Sequence, residues 1–129
     1  MSLSGTLPRT LQRILLAEDD ELLRRFLVRE LQKAGYLVAD FANGTEAYAR
    51  LKEEPFTLLL TDIVMPEMDG IELARRAQEI DPDIKIMFIT GFSAVTLNTE
   101  SMAPKEAKIL SKPFHLKTLV NEVERLLAA

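Results

Sequence analysis

From Arg13 to the end of the chain, short apolar runs alternate with stretches whose apolar residues recur every three or four positions. Arg13-Ile14-Leu15-Leu16-Ala17 is continuous rather than alternating, as expected of a strand buried on both faces of a parallel sheet, and it ends abruptly in Glu18-Asp19-Asp20. Leu23, Phe26, Leu27 and Leu31 then keep helical spacing up to Gly35, which stands where a left-handed cap closes a helix. Tyr36 to Ala42 reads as a second strand, and Asn43 caps a helix carrying Ala47, Tyr48 and Leu51. Pro55 stops that helix ahead of Thr57-Leu58-Leu59-Leu60-Thr61, a third apolar run that again ends in an acid, Asp62. A loop with Pro66 and Gly70 precedes a helix with Ile71, Leu73, Ala74, Ala77 and Ile80. Asp81-Pro82-Asp83 turns the chain into a fourth strand, Ile84 to Ile89, ending at Thr90-Gly91. Between Phe92 and Pro104 the poor helix formers Thr96, Asn98, Thr99 and Ser101 predict a short or frayed helix. Ala107 to Leu110 is the last strand, and a helix from about His115 carries Leu116, Leu119, Val120, Val123, Leu126 and Leu127 on one stripe.

Five strand–helix units in strict alternation predict a doubly wound α/β sandwich around a parallel sheet. Residues 1–11, mostly polar with Gly5 and Pro8 and without periodicity, read as a flexible tail, and residues 12–129 as one domain. That reading fits a chain of 129 residues with 47% hydrophobic and 28% charged positions. Sixteen Lys and Arg against 20 Asp and Glu give a net charge of −4, which disfavours non-specific binding to nucleic acid or an anionic membrane. No window holds the roughly 18 apolar residues of a spanning helix, and the start lacks the apolar stretch of a secretory signal. With 0 Cys and 1 His, disulfides, thiol zinc sites and His-rich metal sites are excluded, and a cytoplasmic location is expected.

The chemistry gathers at the strand ends, where ligands of an open parallel sheet bind. Glu18 and Asp19 end the first strand, Asp62 the third and Thr90 the fourth, and Lys112 follows the fifth. Two carboxylates about 5 Å apart repel by roughly 3 kcal/mol at an effective dielectric near 20, so such a cleft calls for cations. Lys112 supplies one. A divalent ion with oxygen ligands, of which Mg2+ is the best fit, supplies the rest. His115 reads as a surface residue in the first turn of the last helix.

These residues resemble the receiver domains of two-component response regulators. The stretches that carry the resemblance are Ile14 to Asp20, Leu60-Thr61-Asp62-Ile63-Val64-Met65-Pro66-Glu67-Met68-Asp69-Gly70, Thr90-Gly91 and Lys112-Pro113-Phe114, four motifs in order over residues 12 to 129. The resemblance implies a flavodoxin-like (CheY-like) fold with five parallel strands in the order 2-1-3-4-5 and five helices. It implies Asp62 as phosphoacceptor, taking phosphate from a histidine kinase or histidine phosphotransferase, with Thr90 and Lys112 holding the phosphoryl oxygens. Mg2+ would be held by Asp19, Asp62, the backbone carbonyl of Val64 and Glu18, the last directly or through water. Gly91 would keep the phosphate entrance open, and Pro113 would follow a cis peptide bond. Ile109 stands where many receivers carry a switching Tyr or Phe, so signalling is expected through the Thr90–Pro104 segment instead. Val64 and Phe92, apolar beside the pocket, are expected to shield the acyl phosphate from water.

No effector module follows the last helix, so the output is expected to pass through protein partners, with the receiver a monomer or weak dimer. TDIVMPEMDGIELARRA, FITGFSAVTLN and LSKPFHLKTLVNEV are similar to the stand-alone CpdR-type receivers of alphaproteobacteria. That similarity implies control of ClpXP proteolysis, through the protease or its adaptors, and of the cell cycle. The end, Leu126-Leu127-Ala128-Ala129, reads equally as a degradation signal or as an Ala-rich helix end. The rival functions are a phosphorelay shuttle or phosphate sink, a receiver that never accepts phosphate, and a haloacid-dehalogenase-type hydrolase. The hydrolase would need a second Asp two residues after Asp62, where Val64 stands. Catalysis is therefore expected to be confined to the protein's own phosphoryl transfer and autodephosphorylation.

Overall fold

The structure, a computed structural model, describes residues 12–91 and 107–128. In chain order these form β1 (Arg13–Ala17), α1 (Glu21–Lys33), β2 (Leu37–Phe41), α2 (Gly44–Leu51), β3 (Leu58–Asp62), α3 (Gly70–Ile80), β4 (Lys85–Thr90), β5 (Lys108–Ser111) and α4 (Leu116–Ala128). The strands make one parallel sheet in the order β2-β1-β3-β4-β5. The expected order is therefore found. Of the five expected helices, four lie among the described residues. The one expected between Phe92 and Pro104 falls outside them, as does the expected tail. The second strand is a residue shorter at each end than the apolar pattern suggests, because Tyr36 is buried beside the α1 cap rather than paired in the sheet.

Both faces of the sheet are covered, which is why the strand runs are continuously apolar. Ile14, Leu16, Leu58, Leu60, Met87 and Ile89 point to one side, against Leu27 and Leu31 of α1 and Leu119, Val123 and Leu127 of α4. Their neighbours Leu15, Ala17, Leu59, Ile86 and Phe88 point to the other, against α2 and α3. The period of two along each strand divides one run between two cores.

Side-chain caps start the helices. Asp20 accepts from the Leu23 amide at 3.1 Å, Asn43 from Glu46 at 2.8 Å and Asp69 from Glu72 at 2.8 Å. Gly35 closes α1 with φ 103°, a left-handed conformation that costs glycine little. Asp20, grouped in the sequence with the acidic pair, thus serves the helix. Among the described residues no helix is long and apolar enough to cross a membrane.

Candidate functional site

Parallel register brings the carboxyl ends of β1, β3 and β4 to one edge, with Ala17 opposite Thr61 and Asp62 opposite Ile89. The strand order reverses between β1 and β3, and the crevice this opens is where α/β sheets bind ligands. Glu18 and Asp19 follow β1 there, and Asp62 ends β3. Each offers an oxygen, and the three lie within 4.8 Å of one another. Lys112, just past β5, sends its Nζ to Asp62 Oδ2 at 3.0 Å and to Glu18 Oε1 at 3.3 Å. The Lys112 amide donates to the Thr90 carbonyl at 2.7 Å, which ties the end of β4 to the same edge. Thr90 itself is buried. The structure thus brings together Glu18, Asp19, Asp62, Thr90 and Lys112, as expected from the strand ends.

The neighbouring positions fall into place around this group. The Val64 amide donates to Asp62 Oδ1 at 3.3 Å, and the Val64 side chain is exposed beside it. The Lys112–Pro113 peptide bond is cis. Among the described residues, a methyl group added at Gly91 would meet only Lys112 Cδ, at an ordinary contact distance of 3.9 Å. Ile109, on β5 opposite Phe88, packs half-buried against the core on the α2–α3 side. His115 is exposed ahead of α4, as its surface reading requires. Phe92 lies outside the described residues.

The electrostatics are those of a cation site. Glu18 is fully buried. Its Oε2 accepts from the Asp20 amide at 2.9 Å, while Oε1 accepts no hydrogen bond among the described residues and has only the ion pair to Lys112. Burial pushes the Glu18 carboxyl up from 4.5 to about 7; the Asp20 amide and Lys112 counter it, and the charge of Asp62 adds to it. Burial pulls the Lys112 ammonium down, but its hydrogen bond to Asp62 and the charges of Glu18 and Asp62 outweigh this and leave it raised. A buried carboxylate oxygen without a hydrogen bond, beside two further carboxylates, is a donor set that fits a hard divalent cation.

The Glu18 shift carries a stability prediction. Between about pH 4.5 and 7 the folded protein holds a proton that the unfolded chain has released. This group's stabilising contribution is therefore complete below its unfolded value and is lost as pH rises through about 7. In chelator, urea denaturation is expected to show a contribution on the order of 2–3 kcal/mol disappearing between about pH 5 and about pH 8. Glu18→Gln should flatten that slope, and Mg2+ should restore wild-type stability at the higher pH. Equal slopes for the two proteins would sink the assignment.

Sequence reasoning passed over two residues of this region. Arg24, on α1, donates from Nη1 to the Glu18 carbonyl at 2.8 Å and from Nε to Asp40 Oδ2, on β2, at 3.1 Å. In the sequence both look like solvated charges, and only the register that sets Asp40 opposite Leu16 reveals the pairing.

The match to known proteins agrees with this geometry. The family model described as "Response regulator receiver domain" matches residues 14–124. The chain belongs to this family. The receiver is 72% identical over 119 residues to the response regulator receiver protein CpdR of Brucella abortus, covering 92% of this chain and 99% of that protein. Its backbone is similar to a solved response regulator receiver protein from Sinorhizobium medicae, with TM-score 0.85, 35% identity and coverage of 99% of this chain and 98% of that one. It is also similar to the response regulator TrrA of Thermotoga maritima, solved in complex with Mg(2+)-BeF, with TM-score 0.80, 30% identity and coverage of 91% and 100%. Receivers belong to two-component signalling, and this chain is a CpdR-like receiver of that kind.

Proposed function

We propose that the protein is switched by phosphorylation of Asp62, taken from a phosphohistidine of a histidine kinase or histidine phosphotransferase. The carrying observation is the Asp62 carboxylate itself, at a strand end, with Lys112 Nζ at 3.0 Å and two further carboxylates in reach of one cation. One Asp62 oxygen attacks phosphorus as the phosphorus–nitrogen bond breaks; the donor imidazole, protonated on its other ring nitrogen, keeps the bond's electron pair and leaves as neutral imidazole, and Asp62 becomes an acyl phosphate. The Val64 amide holds Oδ1, and Lys112 neutralises charge at Oδ2. Thr90, at the end of β4, stands at the same edge to donate its hydroxyl to the incoming phosphoryl oxygens. Catalysis by this chain is positioning and charge neutralisation.

Asp19, Asp62, the Val64 carbonyl and Glu18 are the groups that would hold Mg2+. When bound, the ion neutralises charge on the transferred phosphoryl group. Gly91, with no side chain, would keep the entrance to Asp62 open, and Pro113 follows Lys112 through a cis bond. Ile109, an aliphatic residue packed against the core, offers no aromatic rotamer at the switch position.

Incubation with a small phosphodonor and Mg2+ tests this reading. Mass spectrometry is expected to show a gain of one phosphoryl group that reductive trapping maps to Asp62. A protein that never gains phosphate, or gains it elsewhere, defeats the proposal.

For the output, we propose control of regulated ClpXP proteolysis and thereby of the cell cycle, by acting on the protease or its adaptors. The 72% identity to CpdR across nearly that whole protein supports it. Pull-downs with phosphorylated and unphosphorylated protein separate this from a phosphorelay shuttle. The proteolytic role requires phosphorylation-dependent capture of protease components, whereas a shuttle retains only the phosphotransferase.

A further inference from the structure

Of the three clustered acids, Glu18, Asp19 and Asp62, Asp19 is the exposed one, and no side chain among the described residues hydrogen-bonds its carboxylate. No neighbouring side chain fixes its rotamer, so the fold places it only through the backbone from which it springs. The peptide plane that carries the Asp19 amide also carries the Glu18 carbonyl, because the peptide unit is rigid. That carbonyl lies just beyond β1 and receives the Nη1 hydrogen bond of Arg24 at 2.8 Å. The same guanidinium is anchored from its Nε to Asp40 Oδ2 on the neighbouring strand at 3.1 Å. With its side chain 15% exposed, Arg24 is not a freely solvated charge. Its planar fork spans loop and strand at once, which a single ammonium cannot do.

We infer that Arg24 is a positioning residue for the cation site: by clamping the Glu18 carbonyl against Asp40, it fixes the peptide that aims Asp19 at the ion. The inference rests on the proposed reading of Glu18, Asp19 and Asp62 as the Mg2+ site. It makes an unusual demand on sign. Arg24 is a cation near a cation site, so by charge alone its removal would tighten Mg2+ binding. A clamp predicts the opposite, because loss of an outer hydrogen-bond partner loosens the ligand it orients and typically weakens metal affinity by about 10- to 100-fold.

The test is calorimetric titration with Mg2+ alone, on the 129-residue wild-type chain, Arg24→Ala, Arg24→Lys and Arg25→Ala, each first shown to be folded by circular dichroism. Arg25→Ala removes the same charge from an exposed neighbour that, among the described residues, pairs only with Glu21, at 3.5 Å. Expected are an about tenfold weaker dissociation constant for Arg24→Ala and an about threefold weaker one for Arg24→Lys, which keeps the charge and loses the fork. Arg25→Ala should bind as wild type or slightly tighter. In phosphodonor assays, the Mg2+ concentration for half-maximal phosphorylation of Arg24→Ala should rise, with the rate at saturating Mg2+ retained. Arg24 variants that bind Mg2+ as tightly as wild type, or more tightly, overturn the inference while leaving the site reading intact. Wild type without saturable Mg2+ binding overturns both. Should Arg24→Ala fail to fold, Arg24→Lys decides the matter on the same criterion.

Discussion

Replacing Gly70 with alanine is expected to lower the melting temperature by roughly 10 °C, the effect of about 3 kcal/mol in a domain of this size. A Cβ built at Gly70 would stand 2.0 Å from the Asp62 carbonyl oxygen, 2.9 Å from its carbon and 3.1 Å from Ile63 Cα. All three are backbone atoms, so no side chain can rotate away. The φ of Gly70 is not positive, and the requirement is for space rather than for a left-handed conformation. Alanine would bring better helix propensity at the start of α3, a gain of at most about 1 kcal/mol that is smaller than the clash. The loop has little freedom to relax, because the Gly70 amide donates to the Ile63 carbonyl at 2.8 Å and closes residues 63 to 70 on themselves. Any yielding must displace the peptide that follows Asp62, so phosphorylation by a small donor should also slow. Thermal denaturation read alongside the phosphorylation rate checks both. A variant melting within a degree or so of wild type would show that the loop yields more easily than its backbone contacts imply.

Gly70 also marks where sequence reasoning stops. The string Met65 to Gly70 reads as a loop, and Gly70 as its end, but the 2.0 Å approach depends on how that loop folds back over Asp62. The strand ends were far more legible. A strand buried on both faces appears as an unbroken apolar run, so the first charge after it, Glu18 or Asp62, marks the edge of the sheet. Parallel pairing then leaves those charges little choice but to meet. Arg24 and Asp40 were illegible for the opposite reason, since each sits on an element whose pattern is already explained without it. Their meeting needs the register of β2 against β1 and a side-chain direction on α1, both of which are tertiary facts. Asp20, the third of three successive acids, has a different task from the other two: its carboxylate caps α1.

Removing the Lys112 ammonium is expected to cost far more in rate than in stability. Its Nζ pairs with Asp62 and Glu18 at 3.0 and 3.3 Å, and its side chain is 27% exposed. Breaking a fully buried pair costs about 3–5 kcal/mol because a lone charge is left behind. Here two things reduce that cost. Solvent reaches Lys112, and Glu18, already pushed up to about 7, can take a proton once its partner is gone. A loss of about 1–2 kcal/mol on denaturation of Lys112→Ala is therefore expected. Phosphoryl transfer has no such escape. The acyl phosphate carries its new charge on the phosphoryl oxygens, beside the ammonium that pairs with Asp62 Oδ2, and a proton on Glu18 lies on the wrong atom to compensate. Loss of one preorganised cation at developing charge typically lowers rate by about 10²–10³, and phosphorylation of Lys112→Ala at saturating Mg2+ should fall by that factor. Lys112→Arg should keep most of the stability, because it retains the charge. It should recover only part of the rate, because a planar guanidinium cannot place its charge where the compact ammonium sits. Phosphorylation of Lys112→Ala within about threefold of wild type would remove Lys112 from the transfer and leave it a purely structural counter-ion.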